Sequence, residues 1–331
     1  VLHCDYIQHT QAKANTRNIK TIGAYTMSKT TLLIDADVLA FEAAVVAEEP
    51  IQWKDELWTV HADMALAKAR VINKIQEFRD NLRCENVVLC LSDRANFRRK
   101  LNPEYKANRA KSRLPIILRQ VKQWIIDELG GVLWDNLEAD DVISILATDK
   151  AMDEETIIVS IDKDFKSVPG IFFDYNKGEY HQPSVEEADN FHLIQTLTGD
   201  STDGFSGVPK VGPVAAKKAL DKYGYTWETV VTCYEKAGLT EQDALMNAWM
   251  ARLLRAENYC FRTKTIKKLW TPKNYQTKDI LETSALGQGV MGTMDGDDPA
   301  LYLRSPYAVS PKDLKLAESF TETTTGSKDS H

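Results

Sequence analysis

Short runs of apolar, mostly β-branched residues recur along the chain at residues 32–34, 87–91, 132–134, 157–161 and 171–173. Each is too short and too continuous for an amphipathic helix and fits a strand buried on both faces. Between them the apolar positions return at helical spacing. Met64, Val71, Ile75 and Phe78 share one face, and Leu118, Val121, Ile125 and Leu129 share another ahead of Gly130, a helix-stopping residue. Ser184 and Glu187 stand at capping-box spacing and mark a further helix start. Strands alternating with helices predict an α/β fold built on a doubly wound, mainly parallel sheet.

Nearly every expected strand runs into a carboxylate. Asp35 and Asp37 follow the first, Asp93 the second, and Asp162 and Asp164 the fourth, while Glu138, Asp140 and Asp141 lie just beyond the third. In an open parallel sheet these ends share one edge, where ligands bind. A single such aspartate is more often a helix cap or turn residue. Capping does not account for repetition at four strand ends, and like charges gathered in one place call for bound cations. Glu138, Asp140 and Asp141 open a helix that continues through Val142, Ile145 and Leu146. Favourable acid placement at a helix N-terminus explains one or two of the three, and Glu138 and Asp141, three apart, can face one ion.

A second constellation, GDSTDGFSGVPKVGPVAAKKAL at residues 199–220, reads as a tight loop between two helices. Asp200 and Asp203 precede GVPKVG, where Gly207, Val208 and Gly212 offer free backbone amides beside the N-terminus of the next helix. That arrangement can hold a backbone phosphate, with Lys210, Lys217 and Lys218 adding positive charge.

Composition narrows the choice. The 331 residues, 43% hydrophobic and 27% charged, suffice for one substantial core and a smaller subdomain. No apolar run approaches the roughly 20 residues of a membrane-spanning helix, so a soluble, cytoplasmic protein without a membrane partner is expected. Five scattered cysteines without a CxxC pair, and six histidines without paired-ligand spacing, suggest neither a disulfide framework nor a zinc site. Carboxylates remain as ligands, and they favour hard metals. A net charge of −7 argues superficially against a nucleic-acid partner, yet lysine and arginine crowd between Arg94 and Arg113. Any such run taken alone is most simply a solvated helix face. Residues 1–26 read as an extension ahead of Met27 and the sequence MSKT, and residues 271–331, rich in Gly, Ser and Thr, as a loosely structured tail.

The sequence resembles the 5′ nuclease family of flap endonucleases and the 5′ nuclease domain of bacterial DNA polymerase I. LSDRANFRRKLNPEYKANR at residues 91–109 is similar to the family's aspartate followed by FR, L-P and YK-x-x-R. LEADD, SIDKDF and GDSTDGFSGVPKVG follow in the family's order. The 5′ to 3′ exonucleases of short-tailed phages share the hairpin and a helix similar to AGLTEQDALMNAWMARLLRAENYCF.

The resemblance implies a PIN-like nuclease core at 27–183 with a basic arch near 94–115. It also implies a helical subdomain at 184–270 carrying a helix-hairpin-helix-type motif. Implied metal ligands are Asp35, Asp93, Glu138, Asp140, Asp141, Asp162, Asp164, Asp200 and Asp203, for two Mg2+ ions that Mn2+ replaces. Lys106 and Arg109 match the basic pair at the scissile phosphate. Val208 and Val211 are candidates for a K+ site. Two departures stand out: DAD at residues 35–37 where many relatives have DG, and DG at 203–204 where many have DN.

The activity so implied is a two-metal 5′ to 3′ exodeoxyribonuclease acting on 5′ ends of nicked, gapped or flapped duplex, and on RNA primers, in phage replication. DNA, RNA/DNA hybrid and replication proteins are the expected partners, in the host cytoplasm. Arg98, Arg99 and Lys100 are expected to contact DNA, and Phe97 and Tyr105 either to stack on unpaired bases or to be buried packing residues. Three alternatives compete. One is a structure-specific flap endonuclease. Another is a haloacid-dehalogenase-type phosphatase with Asp35 as nucleophile and Asp37 as acid/base. The last is a DNA-binding protein without catalysis.

Overall fold

A computed structural model describes residues 30–54, 56–151 and 154–273. The expected extension at 1–26 and all but the first residues of the expected tail lie outside the described residues. The apolar runs become strands β1 (Thr30–Asp35), β4 (Asn86–Leu91), β5 (Val132–Leu133), β6 (Glu155–Ser160) and β7 (Ile171–Asp174). With β8 (Glu179–His181) they form one six-stranded sheet in the order β5-β4-β1-β6-β7-β8, parallel except at β8. A separate two-stranded ribbon, β2 (Glu48–Gln52) with β3 (Trp58–Ala62), breaks the expected alternation. It projects Trp53, Leu57 and Trp58 into solvent.

Both faces of the sheet are covered, which is why its strands read as continuous apolar runs. Leu32, Ile34, Val87, Leu89, Ile157 and Val159 face one core with helices α1 (Ala36–Val46), α2 (Met64–Leu82) and α4 (Leu118–Leu129). Leu33, Val88, Cys90 and Ile158 face the other, under α5 (Ala139–Ala147). The expected stop at Gly130 is a left-handed C-cap, φ 67°. Between β4 and α4 lies the basic segment, opened by the short α3 (Phe97–Leu101).

The second unit contains α6 (Val185–Thr198), α7 (Pro213–Tyr223), α8 (Trp227–Lys236) and α9 (Glu241–Ala251). The Ser184–Glu187 capping box starts α6 as the spacing predicts. Within the expected 184–270 unit the chain does more than continue the helices, although Trp270 packs back against them. After α9 the chain returns to the sheet's second face, where Leu253, Leu254, Tyr259 and Phe261 join that core and Trp134 stacks on Tyr259 at 4.9 Å. Among the described residues no helix is long and apolar enough to cross a membrane.

Candidate active site

Strand β1 lies at the sheet's switch point, since the chain proceeds from it to β4 on one side and later to β6 on the other. Its last residue, Asp35, is buried and caps α1. One carboxylate oxygen accepts the amides of Asp37 (3.1 Å) and Val38 (3.3 Å), and the other accepts the Ser160 hydroxyl at the end of β6 (3.3 Å). Asp37 turns toward the neighbouring strand end, accepting the Ser92 amide at 3.2 Å and pairing with Lys122 at 2.8 Å. Beyond β6, Asp162 accepts the Asp164 amide at 2.8 Å, and Asp164 accepts the Gln195 side chain from α6 at 2.7 Å.

Burial, then the charge of Asp37, pushes the Asp35 carboxyl up to about 7. Burial and Asp162 do the same to Asp164, also to about 7. Desolvation followed by the charges of Asp35 and Asp162 drives Asp140 well above the usual carboxylate range, and desolvation raises Asp162. These four therefore feel one another across the strand ends, as their sequence positions suggest. Glu138 behaves oppositely. Burial alone would raise it, but Lys106 and Arg98 outweigh burial and hold it at about 2.

The loop after α6 closes over this edge. Asp203 accepts Arg109 at 2.5 Å, stands 3.2 Å from the Tyr105 hydroxyl, and lies 3.6 Å from the Lys106 ammonium. Lys106 reaches Glu138 at 2.5 Å, so one ammonium spans two carboxylates from different units. The backbones are joined as well: the Lys106 amide donates to the Asp203 carbonyl at 2.7 Å, and the Asn108 side chain donates to the carbonyls of Ser201 and Thr202. Gly204 follows at φ 76°, where a Cβ would stand 2.6 Å from the Glu104 carbonyl oxygen. This contact and the positive φ are the physical reason for glycine here. Asp200 accepts Lys163 at 3.0 Å and the Thr202 amide at 2.8 Å; burial raises its carboxyl, but Lys163 and the loop amides together outweigh burial and lower it.

Several expectations need correcting. Asp141 does not join the other acids, because both its oxygens bond the Arg98 guanidinium, at 2.6 and 2.8 Å, and one also accepts the Leu254 amide. Glu138 and Asp141 do face one cation, as their spacing implied, but it is Arg98. Arg98 in turn is no surface DNA contact, being 1% exposed. Tyr105 is buried with its hydroxyl donating to Glu138 at 2.9 Å, and Phe97 is a core residue, so neither offers a ring to an unpaired base. Asp93 spends its two oxygens on the amides of Arg94 and Asn136, tying the turn after β4 to the loop before α5.

On the basic segment Arg99 and Lys100 are exposed, and Lys100 reaches the Asn136 side chain at 2.6 Å. In the loop, Gly207 packs so tightly that a Cβ would lie 2.3 Å from the Leu197 carbonyl oxygen. Val208 is buried, and its carbonyl accepts the Val211 amide at 3.1 Å. Lys210, Gly212 and Lys217 are exposed around the start of α7, with Lys217 paired to Asp221. Sequence reasoning did not find Ser160, Gln195, Lys163 or Lys122, whose roles arise only from tertiary contact.

Among the described residues no group of three or more acidic, histidine or cysteine side chains is arranged to hold a metal ion as it stands. The Lys106 ammonium lies between Glu138 and Asp203. Asp35, Asp140, Asp162 and Asp164 offer only oxygen donors, the kind a hard divalent cation takes, and a cation among them would relieve their mutual repulsion.

Residues 30–181 match the family described as 5′-3′ exonuclease, N-terminal resolvase-like domain. The chain is 30% identical over 285 residues to the exodeoxyribonuclease of Enterobacteria phage T3, covering 74% of this chain and 94% of that protein. It is 29% identical over 283 residues to the exonuclease of Escherichia phage T7, with the same coverage. In fold it is similar to the phage T5 flap endonuclease solved as a complex with DNA and metal ions. The TM-score is 0.52 at 14% identity, over 68% of this chain and 89% of that one.

Proposed function

This chain belongs to the 5′–3′ exonuclease family, as a 5′ nuclease of the phage T3 and T7 type, and on that premise we propose that it hydrolyses DNA from 5′ ends using two divalent cations. The observation that supports the reading is the meeting of two opposed sets of charge. Lys106 meets Glu138 at the start of α5 and Asp203 of the loop at 199–204 and acts on Asp140 and Asp162, while Arg109 pairs with Asp203. The ligands would be Asp35, Glu138, Asp140, Asp162, Asp164, Asp200 and Asp203, with Mg2+ favoured by their oxygen donors and Mn2+ able to replace it. Cations bound there would make a water acidic enough to give up its proton and attack phosphorus, and would supply a counter-charge for the leaving oxygen.

The chain's own residues do the rest. Asp35, fixed by α1 amides and Ser160, keeps a rigid anchor at the sheet edge. Lys106 and Arg109 leave their carboxylate partners for the phosphoryl oxygens and neutralise charge that grows in the transition state. Arg99 and Lys100, with the exposed amides and lysines around Gly212 at the start of α7, hold backbone phosphates away from the scissile one. An aspartyl-phosphate route through Asp35 has no support in this family.

The test is purified protein on 5′-labelled duplex, nicked, flapped and RNA/DNA substrates with Mg2+, with Mn2+ and with chelator. Mononucleotides or short products released from 5′ ends only with metal are expected. Product from flaps alone would favour the endonuclease reading, and turnover in chelator would overturn the metal-dependent one.

A further inference from the structure

A basic residue expected at the DNA surface is instead one of the most deeply placed side chains in the protein. Arg98 lies in the first turn of α3, with its amide held by the Asn96 side chain at 2.8 Å. Its five N–H groups meet five acceptors. Nη1 donates to Asp141 Oδ2 (2.6 Å) and Glu138 Oε2 (3.2 Å). Nη2 donates to Asp141 Oδ1 (2.8 Å) and the Arg252 carbonyl (2.6 Å), and Nε donates to the Met250 carbonyl (3.2 Å). The guanidinium also lies 4.5 Å from the centre of the Phe97 ring.

Burying a charge costs several kcal/mol unless it is fully paired. Asp141 alone neutralises Arg98, so the remaining donors need only neutral acceptors, as the two carbonyls show. A donor spent on a second carboxylate, Glu138, is what a purely structural pair does not need. It leaves Glu138 gripped on three sides: Arg98 and the Tyr105 hydroxyl share Oε2, and Lys106 holds Oε1. The two carbonyls extend the grip, since Met250 lies in the last turn of α9 and Arg252 just beyond it. The same helix sends Asn247 to the Ser206 carbonyl at 2.8 Å, on the strand that pairs with residues 199–200. One side chain thus connects the carboxylate on α5 to the loop that bears Asp200 and Asp203.

We propose that Arg98 is a positioning residue, which aims Glu138 at the metal site and registers α9, with the Asp200–Asp203 loop, against the sheet edge. The proposal rests on the reading of Glu138 as a metal ligand. Partners that orient a ligand typically carry about 10- to 100-fold in metal affinity. That property separates positioning from mere support of the fold.

The test uses Arg98→Lys, Glu138→Gln and the double variant in the full chain, with Mn2+ binding measured by electron paramagnetic resonance without DNA, and thermal melting alongside. Arg98→Lys keeps the charge but cannot reach Asp141, Glu138 and both carbonyls together. It is expected to weaken Mn2+ binding about tenfold or more and to lower kcat with little change in KM for DNA. In the Glu138→Gln background the same change should cost clearly less than in the wild type, because one of its two targets is gone and only the hold on α9 remains to be lost. Unchanged Mn2+ affinity in a cooperatively melting Arg98→Lys, or losses that simply add, would overturn the proposal. If Arg98→Lys does not fold, Arg98→Met with Asp141→Asn replaces it, removing both buried charges while keeping an acceptor for Leu254, and is judged by the same outcomes. A chain that folds with neither version makes Arg98 a requirement of the fold and also overturns the positioning role. Wild-type Mn2+ binding by Glu138→Gln alone would instead sink the ligand reading itself.

Discussion

Asp35→Asn should abolish cleavage and at the same time make the metal-free protein more stable. In the fold the Asp35 carboxyl sits at about 7 rather than 3.8, chiefly through burial and then through Asp37. Because the folded value is the higher one, the favourable contribution is present below about 3.8 and disappears as pH rises through 7. Above that, holding the ionised group costs about 4 kcal/mol. Asparagine removes the charge but keeps an oxygen for the amides of Asp37 and Val38, so the cap on α1 survives. With chelator at about pH 8 the variant should therefore melt several degrees above wild type, each kcal/mol being worth roughly 2–4 °C in a protein of this size. At about pH 5.5 the gap should shrink, since wild type is by then mostly protonated at Asp35. Added Mg2+ should raise the wild-type melting point far more than the variant's. A variant that melts no higher than wild type at pH 8 in chelator, or a gap that does not narrow on acidification, would refute the account of these carboxylates as a repulsive cluster.

Other consequences can be measured directly. Lys106→Ala and Arg109→Ala should each lower kcat much more than they raise KM, because a cation aimed at the reacting phosphate gains most in the transition state; equal effects on both constants would reduce them to steering charges. Arg99→Ala and Lys217→Ala should weaken DNA binding, flattening the slope of log K against log salt by about one each, with single-turnover cleavage at saturating protein preserved. Gly204→Ala should cost about 1–3 kcal/mol in urea unfolding, because the new Cβ meets the Glu104 carbonyl at φ 76°; a neutral result would mean that the basic segment is not seated on the loop.

The strands and the edge they share were legible because burial on both faces leaves a continuous apolar signature, and because carboxylates follow the strands in register. Helices α2 and α4 announced themselves by a single apolar stripe, and α6 by its capping box. The ribbon at 48–62 was not legible: Trp53, Leu57 and Trp58 stand in water, so no burial imposes a pattern on it. Arg98 was misread for an opposite reason. Inside the run Arg98, Arg99, Lys100 a buried guanidinium looks like its solvated neighbours, and only the surplus acid Asp141, one residue past Asp140, hinted at a missing counter-ion. Tyr105 was likewise indistinguishable from a stacking ring until its hydroxyl was seen on Glu138. Gln195 and Ser160 gave no signal, since nothing local distinguishes them from ordinary helix and strand residues.

The return of the chain after α9 limits how this protein can be divided or recombined. The helices leave the sheet after β8 and bring the chain back at Leu253, so they form an excursion from the core and not an appendage to it. A fragment ending near residue 183 would keep every sheet strand yet strip Tyr259 from Trp134, Leu254 from Asp141, and both main-chain acceptors from Arg98. Its Arg98–Asp141 pair, buried in the whole protein, would be left together at the opened seam with three hydrogen bonds missing. The segment that matches the family's N-terminal domain is thus not a self-sufficient block, and exchanging it between relatives without residues 250–261 would transplant half of a joint.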